Sequence, residues 1–343
     1  MSAELLTWLT AAGIVFAAWL RASAPIVLAS LGALVSDLAG VVNVGIEGLM
    51  LIAAFFGVVG SSYAPMWLPG SPAWAWPLVG AALGLLSAIA LAILLGVFHL
   101  EFGADIVVAG IGINLLAAGL TVFLMVTISG DKGSTASLTS YVLPNLKIPC
   151  LSGLPLLDAW LNGDGGAGHH VLIYTAALAA GAVSVGLYKT RFGVHLRAVG
   201  ECREAALAAG IPVKSVQYGA LGLSGLLAGM GGLYLSMGYL SLFQADMSAG
   251  RGFLALAAIF LGARKPLGTV GAALLFGAST VLGAQLGLFN FPTQVIYMVA
   301  PLVTILTMVA VTEQRRARDR RAIQRAKERL HTGNSHDTHL YKI

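Results

Sequence analysis

The chain has 343 residues, of which 57% are hydrophobic and 10% charged, with a net charge of +5. A water-soluble fold of this size struggles to cover that much apolar surface, so the composition argues against a soluble enzyme or binding module and points to a polytopic membrane protein. The positive charges gather in loops and in the C-terminal tail, which is the pattern of positive-inside anchoring; lipid is the expected surrounding partner and no nucleic acid is expected.

Leu5–Leu20 is an apolar run between Glu4 and Arg21. It lacks a basic segment in front, so it reads as a first spanning helix rather than a cleaved signal peptide. Pro25–Val42 reads as a second crossing. It carries Asp37 and runs into the segment GVVNVGIEG, 40–48. A carboxylate in an apolar run is costly unless it faces a cavity or a partner, which makes Asp37 and Glu47 functional candidates; the plainer alternative is a pair of helix-end residues near headgroups. Ile46–Tyr63 and Trp76–Phe98 follow, joined by a Pro/Trp-rich turn whose Trp67, Trp74 and Trp76 suit an interfacial aromatic belt. Ala104–Ile128 crosses next, with Asn114 inside it. The polar loop 129–169 then leads to Val171–Tyr188.

Lys189–Lys214 is a polar island with five Lys/Arg and two Glu, and neither residues 165–188 before it nor 215–245 after it contain a charge. Within it, Glu201–Ala209 is Ala-rich, acidic at its start and stopped by Gly210 and Pro212, the signals of a short helix. Such a helix, roughly 13 Å long, is too short to span a bilayer and should lie at the membrane surface, open to a soluble partner. Beyond it, Gln217–Leu240, the short Phe253–Ala263, Leu267–Leu288 and Gln294–Val311 complete about ten passages. An even count places both termini on one side, and the Lys/Arg-rich loops make that side the cytoplasm. The expected organisation is a transmembrane domain over 1–312 and a basic, partly disordered cytoplasmic tail over 313–343 that holds eight Lys/Arg between 315 and 329. Cys150 and Cys202 fall on opposite sides, so neither a disulfide nor a metal site is expected.

EGLMLIAA at 47–54 resembles RGFLALAA at 251–258, and the two copies start from opposite sides, as an inverted repeat requires. The fold class is therefore an all-α bundle of about ten transmembrane helices with a pseudo-twofold inverted repeat. A GxSG sequence ending at Gly225 raises an intramembrane serine protease, but no histidine lies on a spanning segment to serve as base, so Ser224 reads as a packing residue. The chain has no G-x-x-x-x-G-K-[ST] loop, so it does not bind and hydrolyse ATP by that route, and it has no string of intramembrane acids for a proton relay; energy for transport is expected to arrive through a partner at the 201–209 helix.

Four segments, GVVNVGIEGLMLIAAFFG (40–57), FGADIVVAGIGINLLAAGLT (102–121), LRAVGECREAALAAGIPV (196–213) and GRGFLALAAIFLGARKPLGTVGAALLFG (250–277), resemble the permease subunits of bacterial ABC importers. The likeness is to the nucleoside and simple-sugar branch, related to branched-chain amino acid permeases. It implies a translocation pathway built with a second homologous permease, read here as a different chain, together with an ABC ATPase and an extracytoplasmic substrate-binding protein. It also implies that the helix at 201–209 docks on the ATPase. Arg197, Glu201, Arg203 and Glu204 are then the polar contacts, Ala205, Ala208 and Ala209 the close-packing positions, and Gly210 the stop; a proline at Glu204 is expected to uncouple hydrolysis from transport. Along the substrate pathway the candidates are Asn43, Glu47, Asn114, Gln244, Arg251 and Phe253, because transporter sites lie where helices are broken near the midplane. A branched-chain amino acid permease and an ATPase-independent secondary transporter stay open as alternatives.

Overall fold

The computed structural model describes residues 3–147, 168–287 and a few positions between 302 and 313. Its first helix, α1, runs without interruption from Ala3 to Leu38. This corrects the expectation of two crossings at Leu5–Leu20 and Pro25–Val42. Pro25 lies inside α1 and removes one backbone hydrogen bond, but the helix is held by its neighbours. Trp19 donates from Nε1 to the Leu274 carbonyl at 2.7 Å. A Cβ on Gly231 would stand 2.9 Å from the carbonyl oxygen of Pro25, so another helix backs the proline closely. Packing of this kind is what makes a helical proline tolerable in a bilayer. Every residue from Ala24 to Val35 is buried, which puts this half of α1 at the centre of the bundle. Two expected passages are thus one helix, and the count that set the termini on one side changes by one at this point.

At Leu38 the helix ends, Gly40 adopts φ +76°, and the chain turns back through irregular residues 39–45. Only a residue without a Cβ takes that conformation at no cost. Helix α2 (Ile46–Trp67) leaves from there, followed by α3 (Ala75–Leu100) and α4 (Ile106–Ser129). Asp105 caps α4 by accepting from the backbone N–H groups of Val107 and Val108. Helices α2 and α3 pack through glycine: a Cβ on Gly80 would overlap the carbonyl oxygen of Gly57. Close backbone approach is the main source of helix association where lipid supplies no hydrophobic drive.

After α4 the chain forms a short antiparallel pair, β1 (Asn145–Leu146) with β2 (His169–His170). Helix α5 (Val171–Lys189) then crosses to the polar island. The island folds as two helices, α6 (Arg191–Glu201) and α7 (Arg203–Ala208), rather than as one from 201 to 209. Cys202, extended at φ −152°, separates them. Helix α8 (Val213–Tyr234) ends in one π-helical turn, Leu235–Tyr239, and α9 (Arg251–Leu261) and α10 (Pro266–Gly287) follow. Among the described residues, seven helices are long and apolar enough to cross a bilayer, and the 11-residue α9 is a shorter apolar helix. Most of the expected crossing Gln294–Val311, the basic tail and Cys150 lie outside the described residues.

Contacts sort the two ends of the bundle. One end joins Asp37 to Arg264 and Glu101 to Lys214, and sets α6 against the end of α1, where a Cβ on Gly200 would overlap the Leu38 carbonyl oxygen. The other end ties the segment after α4 to α2, through Ser61 and the backbone N–H of Tyr141 at 3.3 Å. Helices α2 and α9 begin side by side at Glu47 and leave toward opposite ends, α2 toward Ser61 and Trp67, α9 toward Arg264. That is the relation an inverted repeat requires of its counterpart helices.

Candidate functional site

Between Leu38 and Ile46 the backbone is irregular and, apart from Gly40, buried or half-buried, so its polar groups need partners that helix geometry does not supply. Asn43 and Asn114, both expected along the substrate pathway, provide some of them, and a third such residue, Glu47, does the same for the start of α9. Asn43, fully buried, donates from Nδ2 to Ser224 Oγ at 2.9 Å and accepts the Gly45 N–H at Oδ1 at 3.0 Å. Asn114 on α4 accepts the Gly48 N–H at 2.8 Å and donates to the Val44 carbonyl at 3.0 Å. Glu47, buried, accepts the N–H of Gly250 at 2.7 Å and of Gly252 at 2.6 Å, so its carboxylate caps the N-terminus of α9 across the repeat. A Cβ on Gly252 would stand 2.6 Å from Glu47 Oε2, so only glycine admits this contact.

The other three candidates divide. The guanidinium of Arg251 turns back on the carbonyls of Met247 and Ser248, both at 3.1 Å. Gln244 is exposed, in a segment pinned from the opposite side by Thr135, whose N–H donates to the Phe243 carbonyl at 2.9 Å. Phe253, 51% exposed, projects from the first turn of α9. Asn43, Glu47 and Asn114 thus hold the protein's own backbone, and Gln244 and Phe253 are the two candidates whose side chains stand open. Sequence reasoning set Ser224 aside as packing; it is the hydrogen-bond partner of Asn43, a role that no local signal at position 224 announces.

At the end marked by Asp37 and Arg264, α7 presents a nearly continuous exposed surface. Glu201, Arg203, Glu204, Ala205, Ala208, Ala209 and Gly210 are all exposed, and Ala206 is buried against the bundle. Leu207, 54% exposed, belongs to the same surface and was not among the sequence candidates. Arg197 differs: it is half-buried, stacked over the Tyr188 ring at 5.1 Å, and so braces the α5–α6 elbow. Gly210, at φ +76°, ends the surface.

Two ion pairs frame this end. Arg264 meets the buried Asp37 side chain through Nε at 2.9 Å and Nη2 at 3.2 Å. That pair fastens the α9–α10 turn, where Ala263 and Arg264 both adopt positive φ, a costly conformation for residues with a Cβ. Lys214 donates to Glu101 at 2.8 Å, and this bond holds the Glu101 carboxyl below the usual carboxylate range. At the opposite end, His170 caps α5 by accepting the Leu172 N–H at Nδ1 at 3.3 Å. Burial pushes its imidazole down to about 4, against a weak upward pull from the backbone carbonyls of Met237 and Leu143.

Residues 15–310 match the family described as "Branched-chain amino acid transport system / permease component". The guanosine ABC transporter permease protein NupQ of Bacillus subtilis is 36% identical over 310 residues, covering 87% of this chain and 91% of its own length. The nucleoside ABC transporter permease protein NupC of Lactococcus lactis is 32% identical over 299 residues, 86% and 91% of the two chains. A putative glucose ABC transporter permease protein, TsgC13, of Haloferax volcanii is 32% identical over 261 residues, 76% and 74%.

Proposed function

The chain belongs to the permease-component family of branched-chain amino acid transport systems, as a multi-pass ABC transporter permease, and from that membership we propose that its cargo is a nucleoside. The observation that carries the cargo is the similarity to the guanosine and nucleoside permeases, at 36% and 32% identity over most of each chain. A simple sugar is the second reading, favoured by the glucose permease relative alone.

In this reading the chain takes cargo from an extracytoplasmic binding protein and passes it through a pathway shared with a second homologous permease, a different chain. Helix α4 supports the pairing: it leaves Val108, Leu115 and Phe123 exposed, at 68%, 70% and 66%, although its other face packs on α2. Gln244 and Phe253 are the pathway contacts, with Phe253 able to stack on a base. ATP is bound and hydrolysed by a separate ATPase that docks on α7, and closure of that ATPase moves α8 through Gly210 and Pro212 as a rigid body. The membrane is the cytoplasmic membrane, with α7 and the basic tail inside. A single first helix then puts the N-terminal end of α1 outside, in place of the cytoplasmic side expected from an even count.

The test is uptake of radiolabelled guanosine, uridine, glucose and leucine by cells with and without the chain. Loss of nucleoside uptake alone on deletion, and its collapse on ATP depletion, are the expected results. Loss of leucine or glucose uptake with nucleoside uptake intact would overturn the cargo, and uptake indifferent to ATP would overturn the ATPase coupling.

A further inference from the structure

Helices α5 and α8 leave a crevice between them near the α7 end of the bundle, about 240 Å³ in volume. Its α5 wall combines small residues, such as Ala182 and Gly186, with the larger Val183 and Leu187; Leu223 and Leu227 stand on α8, and Phe192 lies at the α6 end. Among the described residues, a Cβ on Gly186 would meet nothing within 4 Å, so none of them packs against this face of α5. The lining is entirely apolar and the space is narrow, which suits a hydrocarbon chain and not a polar solute.

The mouth of the crevice has the opposite character. Lys189 and Arg191 stand exposed on either side of Thr190, next to Gly186 and Phe192, and neither forms an ion pair among the described residues. No acidic residue lies between Asp164 and Glu201 in the sequence. Phe192 and Val194 of α6 are 40% and 52% exposed, as expected of a helix lying in the interface. The adjacent N-terminus of α6 adds partial positive charge at the same spot. Two cations that form no ion pair among the described residues, beside an apolar slot, match one molecule in both parts: an anionic headgroup joined to an acyl chain.

We propose that the α5–α8 crevice binds one acyl chain of an anionic phospholipid whose phosphate is held by Lys189 and Arg191. The lipid would fill the gap beneath the elbow that leads from α5 to the α7 surface. This rests on the bilayer reading of the fold and not on the cargo.

The experiment is native mass spectrometry of the full-length chain in mild detergent, offered equal amounts of phosphatidylglycerol and phosphatidylcholine. At about 1 kcal/mol per cation, two cations predict an enrichment of phosphatidylglycerol of about 30-fold. Lys189→Gln with Arg191→Gln should bring the two lipids to parity, while the charge-keeping Lys189→Arg should retain the enrichment. Ala182→Leu, which narrows the slot, should reduce retention of both lipids. Undiminished enrichment in the double glutamine variant would overturn the headgroup site, and displacement of the lipid by inorganic phosphate would assign the cations to a free anion instead. Should Ala182→Leu fail to insert, the glutamine and arginine variants decide the question alone. Loss of lipid with nucleoside uptake unchanged would separate this site from the transport reading.

Discussion

Replacing Glu47 with alanine should loosen α9 from the rest of the bundle. Its carboxylate takes two backbone N–H donors, Gly250 at 2.7 Å and Gly252 at 2.6 Å, in a buried setting. Hydrogen bonds to a charged group contribute about 1.5–3 kcal/mol each, and stranding two buried donors adds to the loss, so the substitution should cost about 3–5 kcal/mol. On a scale of about 2 °C per kcal/mol for a large domain, that is a fall in melting temperature on the order of 6–10 °C. Glu47→Gln keeps one acceptor oxygen and turns an amide toward the other N–H, so it should lose about half as much. Gly252→Ala reaches the same contact from the other side, since its Cβ would stand 2.6 Å from Glu47 Oε2, and should resemble Glu47→Ala. Thermal unfolding of the detergent-solubilised chain, followed by intrinsic fluorescence, measures all three. A melting temperature unchanged in Glu47→Ala, or Glu47→Gln as damaging as Glu47→Ala, would refute the capping role.

Leu207→Asp changes an exposed residue of α7, so stability should hold within about 0.5 kcal/mol while ATP-driven uptake is lost; equal uptake by the variant in vesicles would remove Leu207 from the docking surface. Gly200→Ala places a Cβ on the Leu38 carbonyl and should cost about 1–3 kcal/mol by pushing α6 off the end of α1, visible as a lower melting temperature. The His170 imidazole titrates at about 4 rather than at its ordinary 6.5, so the unfolded chain binds the proton first as pH falls. Stability should therefore decline progressively between about pH 6.5 and pH 4, by about 3 kcal/mol in total. His170→Gln should flatten that part of the profile, and an unchanged slope would show that another group sets it.

Much of this architecture is legible in the sequence because bilayer spans are set by length and polarity, which need no tertiary knowledge. Six of the expected crossings, the five from Ile46–Tyr63 through Gln217–Leu240 and Leu267–Leu288, coincide with helices to within a few residues at most boundaries. The first crossing is where the reading fails. Arg21 and Pro25 look like a turn, and only the helices packed against α1 keep the segment helical. The polar residues that meet at the helix break were visible as Asn43, Glu47 and Asn114, but their partners were not. Glu47 bonds to residues more than 200 positions away, and Asp37 to one 227 away. The island was read as surface helix, yet its break at Cys202 was missed, and this alters one expectation. Glu204 falls in the first turn of α7, ahead of the first backbone bond from Ala206 N–H to the Cys202 carbonyl, so a proline there should be milder than a single helix over 201–209 implied.

Aligned as repeats, EGLMLIAA and RGFLALAA put Glu47 opposite Arg251. The first sends its carboxylate to the head of the other copy's helix. The second could not return the gesture, because a guanidinium aimed at the N–H groups that open α2 would be repelled; it folds back on its own loop, and Asn43 and Asn114 serve α2 instead. The two halves are therefore alike in path but not interchangeable in chemistry. A tandem chain made from two first halves would bring two carboxylates to one junction, and one made from two second halves would bring none.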